Sequence, residues 1–315
     1  MNFPKLIFNS LFQLLLLLQG NQLKLDAQTK TSLSFNKENS TIPSNMIQAI
    51  HIDSSQGIWL GSYDSGLIYF KDSTREHYTK SNSVLPHNNV FAISEDPNNN
   101  LWLGTFGGGL AKFDLNRNEW EVFDTSNSGL KHNWIYSIAI DNQNRKWIGT
   151  WGSGLFMYDD SSWTNFNRKN SPIPTYKVTS VFIDHNDIKW IGTLRGLLSF
   201  DDDTWTWYNN DKGILEVSVY STIVQKNNTL WIGFKKQGLG MLLDNEYFLF
   251  NNKNSSIPSN RIYSIAEDND GCIWVATFAN GIAKYENGDF RVYNSKNSEI
   301  QDDLIFDIKI DRNNN

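Results

Sequence analysis

One tryptophan-containing segment occurs six times, and its spacing constrains the fold of this chain more than any other feature. The copies read IWLGS, LWLGT, KWIGT, KWIGT, LWIGF and IWVAT, and they contain Trp59, Trp102, Trp147, Trp190, Trp231 and Trp274. Successive tryptophans are 43, 45, 43, 41 and 43 residues apart. An aromatic and glycine marker with a period of about 43 residues is typical of a β-propeller, with one copy in each blade.

The residues between the markers predict four short strands in each repeat. In the repeat that starts at Trp134, the β-rich segments are WIYSIAID, KWIGTW, LFMYD and WTNFN. Short turns of Asn, Asp, Ser and Gly separate them, and no intervening segment has the length of a helix. We name the strands A to D in chain order. The sequence therefore predicts an all-β propeller of four-stranded antiparallel blades.

Strand B contains the marker, and its alternation suggests why the marker is there. Side chains of a strand alternate between its faces, so Trp147 and Gly149 share one face. We expect the tryptophan to fill the gap between blades and the glycine to admit the next blade. Burying one tryptophan removes about 200 Å² from water, worth at most about 5 kcal/mol. The six tryptophans are therefore predicted to be packing residues.

The loops before strand A give a different count of blades. A loop that resembles Asn-x-x-Asn-Ser followed by Ile or Leu and Pro occurs before strand A seven times, whereas the tryptophan strand occurs six times. The prediction is six complete blades and an incomplete seventh, represented by a strand D at about 31–36 and a strand A at about 304–311. Extending the repeat places a seventh tryptophan at position 317, so we expect the chain to be a fragment of a longer product.

The first 27 residues have the pattern of a secretory signal peptide. Lys5 precedes an apolar run, Leu6–Leu18, and Ala27 provides a small residue for cleavage. The run is shorter than the roughly 20 apolar residues of a membrane span, although an uncleaved anchor is the alternative. We expect a signal peptide at 1–27, a propeller at 28–315, and a periplasmic or secreted protein.

Composition excludes some partners. The net charge is −6 and the sequence pI is about 5.4, which disfavours nucleic acid and anionic lipid surfaces, since both attract basic proteins. The chain has one cysteine, Cys272, so an intramolecular disulfide is impossible. Cys272 lies beside strand B of its repeat, where we expect it to pack as a small hydrophobe.

The repeats resemble the two-component regulator propeller repeat. The segments IPSNRIYSIAEDNDGCIWVATFANGIAKYE (257–286) and LWLGTFGGGLAKFD (101–114) carry the resemblance, which extends from about residue 31 to 315. In that family the repeats form extracytoplasmic sensors of bacterial two-component systems, often hybrid histidine kinases that respond to oligosaccharides. The resemblance implies a ligand-sensing propeller, with a further C-terminal signalling region or a membrane kinase as its partner.

The residues that follow strand B differ between repeats, and they are the candidate ligand-binding positions. Strand order places the B–C and D–A loops at the same end of every blade, around the mouth of the central channel, where ligand sites are favoured. A ring of aromatic faces with a few cations would suit a sugar, especially an acidic one. The predicted binding residues are Tyr63, Phe106, Trp134, Trp151, Arg195, Lys235, Lys236, Arg261 and Phe278, with Lys177 nearby.

Other chemistries fit the sequence less well, and no catalytic residue, cofactor or metal is predicted. The glycine-rich segments at 106–109 and 151–154 precede strands, whereas phosphate cradles precede helices. The turns DHND (184–187) and DNDG (268–271) lack the later acidic ligand of a calcium loop.

Two alternative functions stay open. One is an enzyme similar to streptogramin lyases or polysaccharide-processing propellers, for which His87 and His132 lie in neighbouring D–A loops. The other is a protein-interaction scaffold in the cell envelope, since fold alone does not decide function.

Overall fold

The fold is all-β. The computed structural model describes residues 6–9, 13–18, 31–38, 40, 42–209, 214 and 216–313, and it contains no helix in these ranges. Consequently none of the described residues belongs to a helix long and apolar enough to cross a membrane. The strands form four-stranded antiparallel sheets, and six of these sheets each use four consecutive strands. The predicted fold class and the six complete blades are therefore confirmed.

The six blades have strands of four to six residues, in the order A, B, C, D. Blade 1 comprises Ile47–Ile52, Ile58–Ser62, Leu67–Lys71 and Thr74–Tyr78. Blade 2 comprises Val90–Glu95, Asn100–Thr105, Leu110–Asp114 and Glu119–Phe123. Blade 3 comprises Ile135–Ile140, Lys146–Thr150, Leu155–Tyr158 and Trp163–Phe166.

Blades 4 to 6 repeat the same arrangement. Blade 4 comprises Val178–Ile183, Lys189–Thr193, Gly196–Phe200 and Trp205–Tyr208. Blade 5 comprises Val219–Val224, Leu230–Phe234, Leu239–Leu243 and Glu246–Phe250. Blade 6 comprises Ile262–Glu267, Ile273–Thr277, Ile282–Glu286 and Asp289–Tyr293.

The seventh sheet differs from the prediction. Its strand order is Asp307–Ile308, Leu6–Asn9, Gln13–Leu18, Thr31–Phe35, so two strands from the N-terminal segment occupy the B and C places that were predicted to be empty. The predicted incomplete seventh blade is therefore not confirmed. Strands A and D alone would leave unpaired backbone N–H and C=O groups facing each other. The two N-terminal strands form hydrogen bonds with these groups. The predicted cleavage site at Ala27 lies outside the described residues.

The strands A of successive blades contact one another around a circle. Asp307–Ile308 contacts strand A of blade 6 on one side and strand A of blade 1 on the other, so the circle closes. Hydrogen bonds from one strand A to the next support this contact. The hydroxyl of Ser137 accepts from the Val181 N–H at 2.8 Å. At the closing contact, the Asp307 carboxylate accepts from the Ile50 N–H at 2.9 Å and from the Ser264 hydroxyl at 2.6 Å.

Each repeated tryptophan of strand B is fixed by an acceptor six residues earlier, just after strand A. In five blades the indole Nε1–H donates to an aspartate, and in blade 5 it donates to Gln225, at distances of 2.7–2.9 Å. The same carboxylate holds the A–B turn. Asp53, for example, also accepts the Gly57 N–H at 2.7 Å. One side chain therefore orients the tryptophan and closes the turn between strands A and B.

The tryptophans lie between blades, and the strand-B glycines make the close approach possible. All six tryptophans are buried, with at most 7% of their surface exposed. Trp102 contacts Tyr158 of the next blade with ring centroids 6.1 Å apart. A Cβ on Gly104 would lie 2.7 Å from the Cγ2 of Ile135 in that next blade, closer than two carbons can pack. Strand B needs glycine here because a neighbouring strand A occupies the space.

The aspartate–tryptophan hydrogen bond yields a stability prediction. Asp96→Ala would leave the Trp102 indole and the Asn98 and Asn100 N–H groups without their acceptor. A buried donor left unpaired costs about 1–3 kcal/mol, so we expect a loss of about 3 kcal/mol in the free energy of unfolding, measured by urea denaturation. Asp96→Asn is the matched control, because an amide already serves this role at Gln225 in blade 5. An equal loss in both variants would contradict the proposed role of the side-chain acceptor.

The same aspartate makes stability depend on pH. Burial by itself raises the pKa of Asp96, but hydrogen bonds from Trp102 and Asn100 outweigh it, and the pKa lies below its usual value. The folded state therefore holds the charged form more strongly than the unfolded state does. This contribution is complete above the ordinary aspartate pKa of about 3.9 and is lost as the pH falls through the lowered folded value. As the pH falls from about 5 to about 3, across the ordinary aspartate pKa, we expect Asp96→Asn to lose less stability than the wild type. Urea unfolding at each pH would measure the difference.

Candidate functional site

The central channel is lined by strand A of every blade and has a volume of about 600 Å³. The second residue of strand A in blades 1 to 6, and Phe306 just before Asp307–Ile308, line this channel near its mouth. Five of these seven positions are aromatic, and the set is Gln48, Phe91, Tyr136, Thr179, Tyr220, Tyr263 and Phe306. The mouth is therefore bordered by rings that the sequence analysis did not single out. Their spacing follows the blade period, which is the sequence signal that identifies them.

An irregularity in strand pairing aims these side chains at the channel. In each of blades 1 to 6 the A–B register shifts between the first and the third residue of strand A. In blade 3, Ile135 pairs with Thr150 and Ser137 pairs with Gly149, so Tyr136 between them is left out of the ladder. An extra residue of this kind re-aims its side chain, and such bulges are common beside functional sites.

Two groups of aromatic rings in contact surround the mouth. In blades 2 and 3, Phe91 stacks on Tyr136 with centroids 4.9 Å apart, and Tyr136 stacks on Trp151 at 5.0 Å. Phe106 joins this group through Phe91, with centroids 5.6 Å apart, and Trp134 stacks on Phe106 at 4.1 Å. In blades 5 and 6 and the seventh sheet, the second group comprises Tyr220, Tyr263, Phe278 and Phe306, with centroids 4.8–6.1 Å apart.

Three cations lie against the faces of these rings. The Lys177 ammonium is 4.6 Å from the centre of Trp151, and the Lys235 ammonium is 5.5 Å from that of Tyr220. The Arg261 guanidinium lies only 3.9 Å from the centre of the Phe278 ring. Contacts of this type are attractive because the ring face is electron-rich. The mouth therefore combines apolar ring surface with positive charge.

The loops that form the mouth are tied to each other. A glycine in each B–C loop, with φ between 81° and 105°, donates its N–H to a carbonyl in the following D–A loop at 2.7–3.0 Å. In blade 3, Gly154 donates in this way to Tyr176. These six glycines adopt a left-handed conformation that other residues disfavour. The loop-to-loop bonds hold the mouth in one shape before any ligand arrives.

The predicted binding residues fall into two sets. Phe106, Trp134 and Trp151 belong to the first ring group, Phe278 and Arg261 belong to the second, and Lys235 lies beside that second group. The remaining three, Tyr63, Arg195 and Lys236, are exposed on the B–C loops of blades 1, 4 and 5. In the part of the chain that the structure describes, none of these three stacks on a channel ring.

The histidines of the D–A loops have structural partners. The Nδ1 atom of His87 accepts the Asn89 N–H at 3.0 Å, and the Nδ1 atom of His132 accepts the Trp134 N–H at 3.1 Å. Burial lowers the pKa of both rings, and the Lys80 charge adds to this effect at His87. No group of three or more His, Cys, Asp or Glu residues suited to a metal occurs among the described residues.

The turns considered for calcium use their carboxylates within the blade. The Asp184 side chain accepts the Asn186 and Ile188 N–H groups and the Trp190 indole, and Asp268 holds the corresponding turn and indole of blade 6. These bonds explain why the turns contain aspartate.

The half-buried Tyr136 in the mouth gives a further prediction. Burial raises the pKa of Tyr136 to about 12, and the phenols of Tyr220 and Tyr263 contribute. Since an unfolded tyrosine titrates near pH 10, the folded state retains the proton over this interval and stability falls as the pH rises through it. We expect Tyr136→Phe to lose about 1 kcal/mol less stability than the wild type between about pH 9 and pH 11, measured by urea unfolding. Equal losses would mean that Tyr136 is open to solvent.

Comparison with known proteins identifies the repeat. The family model described as two component regulator propeller matches residues 84–107, 129–152 and 256–279. Each match runs from the end of a D–A loop through strands A and B to the start of the B–C loop. No curated protein sequence matches the chain.

Solved structures share the architecture. The extracellular domain of a protein described as a hybrid two component system from B. thetaiotaomicron superposes with a TM-score of 0.72 and 21% identity, over 90% of this chain and 39% of that one. PorZ, a surface component of the type-IX secretion system of Porphyromonas gingivalis, has a TM-score of 0.63 and 18% identity, over 84% and 42%. Virginiamycin B lyase from Staphylococcus aureus has a TM-score of 0.66 and 11% identity, over 78% and 83%. The chain thus spans less than half of the first two proteins.

Proposed function

Because this chain carries two-component regulator propeller repeats, we propose that it is an extracytoplasmic sensor propeller that binds an oligosaccharide at the mouth of its central channel. The observation that carries the proposal is the arrangement of stacked rings and cations around that mouth. Three of the six complete repeats match the family model directly. Signalling output belongs to a C-terminal region or a separate membrane kinase, with which the propeller would communicate.

The chemistry of the mouth favours a sugar with an anionic group. The C–H faces of a pyranose pack on aromatic rings, and the first group offers several rings in blades 2 and 3. The cations Lys177, Lys235 and Arg261 belong to blades 4 to 6, together with the exposed Arg195 and Lys236. A carboxylate or sulfate would pair with these charges while the sugar ring stacks on the aromatic side. Since the loops are tied in place, little ordering is needed on binding.

An enzymatic role has less support. Virginiamycin B lyase shares the propeller fold, but its low identity indicates the fold alone. Catalysis would need an acid or base directed at a bound substrate, whereas His87 and His132 use their Nδ1 atoms to hold their own loops. Envelope scaffolding is the other alternative and predicts a protein partner in place of a sugar; the surface component PorZ shares the fold.

A matched pair of phenylalanines tests the proposal. Phe278 at the mouth is 39% exposed, and Phe248 on the outer strand of blade 5 is 41% exposed. We expect Phe278→Ala and Trp151→Ala to weaken binding of an acidic oligosaccharide by about tenfold, equivalent to about 1.4 kcal/mol, in calorimetric titrations of a panel of neutral and acidic oligosaccharides. Phe248→Ala should bind as the wild type does.

Two results would contradict this assignment. One is saturable binding that neither mouth variant weakens, which would place the site elsewhere. The other is turnover of a bound sugar, detected as new reducing ends, which would favour the enzyme. Lack of binding to every member of the panel, with capture of one envelope protein, would favour the scaffold.

The proposed location can be tested at the N-terminus. We expect the exported protein to begin at Gln28, because Ala27 ends the predicted signal peptide. Mass spectrometry of the protein recovered from the periplasm or the medium would measure this directly. Cleavage after Ala27 would remove Leu6–Asn9 and Gln13–Leu18 from the seventh sheet, whereas a protein that begins at Met1 would retain both strands and would contradict the predicted signal peptide.

A further inference from the structure

A second cavity lies between blades 1 and 2, among the A–B and C–D turns at the end of the propeller opposite the mouth. Its volume is about 740 Å³, within the range of roughly 300–1,000 Å³ that is usual for small-molecule sites. Four aromatic rings and two carboxylates line it: Trp59, Tyr69, Tyr78, Phe113, Asp53 and Glu76. Nothing in the proposed oligosaccharide site involves these residues.

The rings form a cluster with the carboxylates at its edge. The ring centroids of Tyr69 and Trp59 are 4.3 Å apart. The centroid of Tyr78 is 6.2 Å from that of Trp59 and 5.3 Å from that of Phe113. The Asp53 carboxylate holds the Trp59 indole at 2.9 Å, and Glu76 accepts the Tyr78 hydroxyl. No lysine or arginine occurs among the described residues that line the cavity. Apart from the imidazole of His77, its walls therefore combine electron-rich ring faces with two carboxylates.

The next two blade interfaces contain a cation of their own at this place. Lys146 is fully buried, with its ammonium 2.6 Å from Asp160, 4.0 Å from Asp96 and 4.9 Å from the centre of the Trp102 ring. Lys189 repeats the arrangement between blades 3 and 4. Its ammonium is 2.8 Å from Asp202, 3.8 Å from Asp141 and 5.5 Å from the centre of Trp147. In both interfaces the tryptophan and its aspartate acceptor surround an ammonium ion.

Between blades 1 and 2 the lysine is replaced by leucine. Lys146 pairs with Tyr158 across strands B and C, and Leu101 occupies the same position, paired with Phe113. The aspartate that follows strand C is replaced as well, because Leu115 stands where blade 3 has Asp160. Trp59 and Asp53 are retained, so the ring and the more distant carboxylate of the arrangement are present without the ammonium, and Glu76 is the second carboxylate of the cavity.

We propose that the cavity between blades 1 and 2 binds a small organic cation, an ammonium ion on a short alkyl chain, which takes the place that Lys146 and Lys189 occupy in the neighbouring interfaces. The ammonium lies against the Trp59 ring near Asp53 and Glu76, and the alkyl chain packs on Phe113 and Leu115. Attraction to the ring faces and the carboxylates supplies the affinity.

In the test, n-butylammonium, which has the length of a lysine side chain, is added to the whole protein. Binding is followed by NMR through the indole N–H resonances of the protein. We expect saturable binding, and no comparable binding of n-butanol, which has the same shape without charge. Glu76→Gln should weaken binding about tenfold. Leu101→Lys should abolish it, because the new side chain places an ammonium beside Trp59 and Asp53.

Glu121→Gln is the matched control, since Glu121 occupies the position of Glu76 in blade 2 and already faces Lys112 at 3.9 Å. Its binding of n-butylammonium should equal that of the wild type. Glu76 is on the surface, so its variant tests the proposal even if the buried Leu101→Lys substitution prevents folding. The proposal is overturned if n-butylammonium does not saturate, if n-butanol binds equally well, or if Glu76→Gln leaves the affinity unchanged.

Discussion

The hydrogen bond from the strand-B indole to the residue just after strand A is the interaction on which each blade depends. It fixes the orientation of the largest side chain in the repeat, and in five blades its acceptor is an aspartate that also closes the A–B turn. With the indole fixed, the ring can fill the space between two blades. Gln225 shows that the geometry of the acceptor matters more than its charge.

Close packing between blades then positions the channel. The strand-B glycine lets the next strand A approach, and the second residue of that strand leaves the ladder to face the axis. The same two features therefore produce both the core and the ring of aromatic residues at the mouth. Closure of the circle adds a different contact, the Asp307 carboxylate, which joins the last strand A to the first.

The repeat also separates the positions that pack in the same way in every blade from the positions that differ and are candidates for binding. Blades that share one backbone pattern differ after strand B and at the residue before the tryptophan. The residues after strand B contribute to the mouth, where blades 2, 3 and 6 have aromatic rings and blades 4 and 5 have cations. At the residue before the tryptophan, blade 2 has Leu101 where blades 3 and 4 have a buried lysine, and a cavity lies between blades 1 and 2.

The sequence by itself determined the all-β class, the six blades, the four strands of each blade and the loops that meet at the mouth, because periodic patterns and turn residues act locally. Only the tertiary structure decided which rings stack. Phe91, Tyr136 and Tyr263 join the mouth because strand pairing shifts beside them, and Arg261 covers Phe278 because two loops meet. The sequence pattern also did not predict that N-terminal strands complete the seventh sheet. That arrangement depends on unpaired strand edges that only the fold brings together from distant parts of the chain.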